Sequence, residues 1–185
     1  MSTRSKIIKV ALKHFANSSY KNCSLEEIAK ELNITKPALY YHFKNKNDLY
    51  NTLFKNYFGT LVFKKHSSLE ENLKEYINVY NTLFTKEPLC AKLFLKELAC
   101  EFKNLDLKTI SMLSNNLKFL IDILKDKKNV NPFYIQTLIM SSLTAYQSNM
   151  NIRKEVAKMI NQEFDKFNIA DEIYHTILLY IKDKK

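Results

Sequence analysis

Apolar residues recur along this chain with the period of helices nearly from end to end. Leu25, Ile28, Ala29 and Leu32 fall at i, i+3, i+4 and i+7, the spacing of one buried helical face. Ser24 precedes them and Glu27 follows three residues later, a capping-box pattern in which each side chain satisfies an orphan backbone N–H. The pattern predicts a helix from Leu25, ended by Asn33, a residue that tolerates the left-handed conformation of a helix C-terminus. Thr35 is placed to cap a second helix over about residues 36–43, because Pro37 suits only a first turn, where its missing N–H is not required. Two helices around a three-residue turn read as helix-turn-helix. Asn45 then caps a long helix over 46–66 with Leu49, Leu53, Tyr57 and Phe58 on its apolar side and Gly59 inside it, there either for close packing or as a bend. Further helices are predicted at 69–85, 88–103, 105–127, 132–149, 152–167 and 169–183, with Pro88 and Pro132 at starts.

Composition supports the all-α reading. One Gly and three Pro in 185 residues are too few turn formers for a many-stranded sheet. A single Gly also excludes the P-loop and the dinucleotide fingerprint, each of which needs several glycines to bring backbone against phosphate.

Leu39 and Phe43 of the second helix can face a core, which leaves Lys36, Ala38, Tyr40, Tyr41, His42 and Lys44 on the remaining arc. Lys pairs with phosphate, Tyr and His donate to phosphate oxygens, and a small Ala admits a thymine methyl, so this arc suits a DNA duplex. The net charge is +10, and its distribution sharpens that reading. Residues 1–50 hold nine Lys or Arg against four Asp or Glu, and the remainder hold twenty against fifteen, so the N-terminal quarter is more than twice as positive per residue. Overall basicity alone is weak support: 27 Lys, two Arg and 19 Asn point to an AT-rich coding bias.

Cys23, Cys90 and Cys100 are few and odd in number, which fits a reducing compartment, and on one helix Cys90 and Cys100 would be too far apart to pair. His14, His42, His66 and His175 show no metal-binding spacing, and no nucleophile motif with a base occurs; neither a metal, a cofactor nor an enzyme activity is expected. No apolar run reaches the roughly 20 residues of a membrane span, and a cytoplasmic protein is expected.

The stretch IIKVALKHFANSSYKNCSLEEIAKELNITKPALYYHFKNKNDLYNTLF resembles the DNA-binding domain of the tetracycline-repressor (TetR) family of bacterial transcription regulators. The resemblance is carried by the Ala11, Leu12, Phe15 face of a first helix, the Ile28-Ala29 pair, the run from Leu39 to Phe43, and Lys46 with Leu49 opening a fourth helix. Ser19 and Asn33 stand where the family often has Gly. The resemblance implies an N-terminal three-helix helix-turn-helix domain over residues 1–46 and a helical ligand-binding and dimerisation domain over 47–185, joined through the helix at 46–66. Phosphate contacts are implied for Ser24, Thr35, Lys36, Tyr40, His42 and Lys46, and base contacts for Ala38 and Tyr41, with Pro37 opening the helix among them. Arg4 and Lys6 are placed to reach an adjacent minor groove.

The family's ligand pocket has candidate linings in Phe84, Leu93, Phe94, Leu98, Phe102, Leu117, Ile121 and Tyr134, with Glu97 or Glu101 as polar anchors; the same aromatics also serve as plain core. A small apolar or amphipathic effector suits them. The family's dimer interface would use Leu138, Ser142, Ala145 and Tyr146 on one helix and Ile173, Ile177 and Ile181 on the last, stripes that could equally be intrachain core. The expected function is a ligand-responsive repressor that binds a palindromic operator as a homodimer. The rival is a small-molecule-binding or catalytic helical bundle whose helix-turn-helix no longer reads DNA.

Overall fold

The computed structural model describes residues 2–164 and 168–184. Ten helices and no strand occur among them: α1 (Thr3–Asn17), α2 (Leu25–Glu31), α3 (Lys36–His42), α4 (Lys46–Tyr57), α5 (Leu69–Lys86), α6 (Pro88–Ala99), α7 (Leu107–Leu124), α8 (Pro132–Ser148), α9 (Met150–Met159) and α10 (Ile169–Asp183). They divide into two compact units, Met1–Leu61 with Leu93–Asn115, and Val62–Lys92 with Asn116–Lys185.

In the first unit α1 packs on α2 and α4, and α2 on α3. Ile7, Leu12, Phe15, Ile28, Leu39, Phe43, Leu49 and Leu53 form the core, all essentially inaccessible to water. The caps are those the sequence calls for. Ser24 Oγ accepts from Glu27 N, Thr35 Oγ1 from Ala38 N and Asn45 Oδ1 from Asp48 N. Asn33 lies at φ 53°, and Ile34 N and Asn33 N donate to Ala29 O and Lys30 O, the paired bonds of a Schellman ending.

The long helix expected at 46–66 ends at Tyr57, so Gly59 lies in the turn beyond it. Phe58 and Gly59 N–H groups return to Phe54 O and Lys55 O. After them the chain runs without helix, because its donors and its one large ring find partners elsewhere. Lys64 N donates to Glu75 Oε1, His66 N to Asn72 Oδ1, and Phe63 stacks on Tyr76 and Phe119. Gly59 has the role of close packing: a Cβ there would overlap the Met112 thioether and meet Lys55 O at 2.7 Å.

Two other helices stop earlier than their apolar pattern suggests. α6 ends at Ala99 with Glu101 and Phe102 at φ 55° and 56°, and α9 at Met159 with Asn161 at φ 53°. In each, crossed N–H bonds complete the same Schellman geometry: Phe102 N to Glu97 O, and Gln162 N to Ala157 O. Residues 165–167 of the helix predicted at 152–167 lie outside the described residues.

In the second unit α5, α8 and α10 pack mutually. Phe63, Tyr76 and Phe119 stack within it and Tyr80 meets Tyr76 edge to face, and burial pushes the Tyr80 hydroxyl up to about 12. No helix among the described residues is long and apolar enough to cross a membrane.

Candidate nucleic-acid interface

α3 is only seven residues long, yet it is held on one side and open on the other. Leu39 and the following Phe43 are sealed in the core, while Thr35, Lys36, Pro37, Ala38, Tyr40 and Tyr41 are exposed and His42 is half-buried. Tyr41 stands 87% exposed and Tyr40 43%, so Tyr41 projects furthest. Its ring meets that of His42 edge to face. Ser24 and Thr35 spend one lone pair each on a helix cap, and their O–H groups are left to donate.

The surroundings hold this surface in place. Glu31 bonds Lys13 Nζ and His14 Nε2, both at 2.9 Å, which ties α2 to α1 and holds its carboxyl below the usual range. The Arg4 guanidinium lies 4.9 Å from the centre of the Phe43 ring, at the end of α3. Lys46 is half-buried, donating to Lys21 O at 2.9 Å over the Tyr20 ring. Lys36 reaches Glu26 at only 3.9 Å, an exposed pair that holds it weakly.

A second polar cluster lies behind the head. Tyr50 of α4 donates to Glu97 Oε1 of α6 at 2.6 Å, and Asn104 Nδ2 donates to the same oxygen at 2.7 Å. Glu97 is 1% exposed and its Oε2 has no hydrogen-bond partner. Burial, then the hydrogen bond to Glu97, hold the Tyr50 hydroxyl protonated far above its ordinary value. Asn51 Oδ1 accepts from Asp106 N, and Lys96 Nζ donates to Ser18 O.

The residues expected to line a ligand pocket do not gather in one unit. Leu93, Phe94, Glu97 and Phe102 belong to the first, and Phe84, Leu117, Ile121 and Tyr134 to the second. Phe84 and Leu93 are fully packed, Phe94 meets Phe58 at a tilt and Phe102 edge to face, and Tyr134 is exposed beside Tyr180. Leu98 and Glu101 face solvent. On α10, Ile173, Ile177 and Ile181 are buried within the protomer, on the helix that packs against α5 and α8. Tyr146 is also buried, whereas Leu138, Ser142 and Ala145 form a half-buried row along α8. The second unit holds a cleft that the periodicity did not mark, walled by Asn81, Thr85, Tyr146 and Met150 among others. Those residues come from α5, α8 and α9, and no local spacing joins one helix to the next.

A helical head with an exposed, basic and aromatic second helix defines a helix-turn-helix protein. Residues 7–53 match the profile of "Bacterial regulatory proteins, tetR family". The HTH-type transcriptional regulator AcrR of Shigella flexneri is 33% identical over 87 residues, 47% of this chain and 35% of that protein. The negative transcriptional regulator IcaR of the biofilm operon icaADBC in Staphylococcus aureus (strain Newman) is 23% identical over 187 residues, 97% of this chain and 99% of that protein. Among solved structures, the transcriptional regulator FadR from Bacillus subtilis, in complex with stearoyl-CoA, shares the fold with a TM-score of 0.65 at 17% identity, covering 98% of both chains. The chain spans between 32% and 41% of the length of the first curated relatives it matches. Residues 7–53 are thus a DNA-binding domain of the TetR family.

Proposed function

We propose that this chain is a ligand-responsive transcriptional repressor, with residues 1–46 as the DNA-reading head and residues 47–185 as the part that takes up a small molecule and pairs two copies. The observation that carries the reading is the two-sided α3. Its apolar residues anchor it in the core, and its outward face offers the cation of Lys36, two phenols and the small side chain of Ala38 to a major groove. Ser24, Thr35, Lys36, Tyr40, His42 and Lys46 contact phosphates in this reading, and Ala38 and Tyr41 read base edges. IcaR's name as a negative regulator supports repression, and the stearoyl-CoA bound to FadR supports an apolar or amphipathic effector.

Pairing of two copies would bring two heads to successive half-sites about 34–36 Å apart. Because Ile173, Ile177 and Ile181 are used inside the protomer, the proposed interface on α8 is its half-buried row of Leu138, Ser142 and Ala145. The effector acts by binding one head spacing better than the other, and shifts the balance only by that difference in affinity.

The test is a gel-shift titration against the DNA upstream of the chain's own gene, with nonspecific competitor. Tyr40→Ala is expected to weaken binding to all sequences alike. Tyr41→Ala is expected to lose about 1–3 kcal/mol of preference at one base position. Wild type and both variants binding that DNA equally would remove the assignment.

A further inference from the structure

The cleft in the second unit has a volume of about 630 Å³, within the range of small-molecule sites. Its walls differ in chemistry. Tyr146, Met150, Phe164 and Ile169 give it an apolar body, drawn from α8, α9, the segment after α9 and the start of α10. Asn81 and Thr85, one turn apart on α5, add polar lining. Thr85 Oγ1 already accepts from Gln147 Nε2 at 3.2 Å. Asn81 Oδ1 is different: it is buried and no donor reaches it. A buried carbonyl oxygen without a donor is a local cost of packing α5 here, closed to the contents of the cleft.

Charge adds a second requirement. Lys154 lines the cleft one turn into α9, and Arg153 beside it lies 4.7 Å over the ring of Tyr146, a wall residue. Met150, also in the wall, opens α9, whose N-cap residue Asn149 makes no side-chain cap. Asp171, in the first turn of α10, is held by Asn168 Nδ2 at 2.6 Å.

From the cleft's shape and the cations we infer that it binds an amphipathic small-molecule anion: an aromatic or alicyclic body against Tyr146, Met150 and Phe164, and a carboxylate- or sulfonate-like group at Lys154. This deepens the ligand-responsive reading above and rests on it only for the consequence, not for the binding.

Anilinonaphthalene sulfonate carries both features, and N-phenyl-naphthylamine is the same ring system without the anion. With the full-length protein, the sulfonate dye is expected to bind saturably, one per protomer, with enhanced fluorescence. Lys154→Gln is expected to weaken the sulfonate about fivefold or more while leaving the neutral dye unchanged. Met150→Trp fills the cleft and is expected to abolish binding of both dyes, with Thr85→Phe as the same test from α5 should that variant not fold. Circular dichroism and the thermal midpoint identify folded variants. Absence of saturable binding overturns the inference, as does binding that is indifferent to Lys154→Gln and to the filling variants. DNA release separates the two readings. If the dye releases DNA equally from wild type and the filled variants, the cleft is refuted and the ligand-responsive reading stands. If it binds the cleft with DNA affinity unmoved, the cleft stands and the effector reading fails.

Discussion

With one glycine in 185 residues, this chain ends three helices in the left-handed conformation without one. Asn33 and Asn161 are mild choices, since a short amide side chain bonds locally and tolerates that region. Glu101 is not, and it holds the position only because the Schellman bonds after α6 leave no other path. Glu101→Gly is expected to raise stability by about 1 kcal/mol, read as a higher midpoint in urea. The glycine itself sits where space rather than φ demands it. In Gly59→Ala the Met112 side chain can move aside, but Lys55 O is backbone and cannot. A loss of about 1–3 kcal/mol is expected in the same titration.

At the level of elements, the tie from α4 to α6 concentrates stability in one buried carboxylate. Glu97 has one oxygen shared by Tyr50 and Asn104 and the other without a partner, so it has no spare bond to lose. Tyr50→Phe keeps the ring packing against Phe15 and Phe54 and removes only the donor. It is expected to cost about 1–3 kcal/mol in thermal or chemical unfolding, and an unchanged midpoint would show the bond to be energetically idle. The elements also show which signals are local. The caps at Ser24, Thr35 and Asn45 and the turn at Asn33 were legible because donor and acceptor lie within three to five residues of each other. The end of α4 was not, because it is decided by Asn72, Glu75 and Tyr76 of the next helix, which compete for the segment's backbone and for Phe63. The outward face of α3 follows from two apolar anchors on a short helix. The cleft depends on α5, α8, α9 and α10 coming together, and periodicity sees one helix at a time. The same limit applies to α10: its stripe of Ile173, Ile177 and Ile181 announces burial without saying whether the cover is the chain itself or a second copy.

For the whole molecule, reading a palindrome requires two heads on one body, and affinity then depends on their linkage as much as on either head. Ala145→Arg places a charge in the half-buried row of α8. It is expected to give a monomer by sedimentation with unchanged helix content, and operator affinity falling at least tenfold as the second head is lost. A variant that stays dimeric would move the interface elsewhere. The docking of Arg4 on Phe43 has a practical side as well. On the proposed reading, whatever is fused ahead of Ser2 emerges beside the end of α3, so an N-terminal purification tag would crowd the operator and counterfeit a weak regulator.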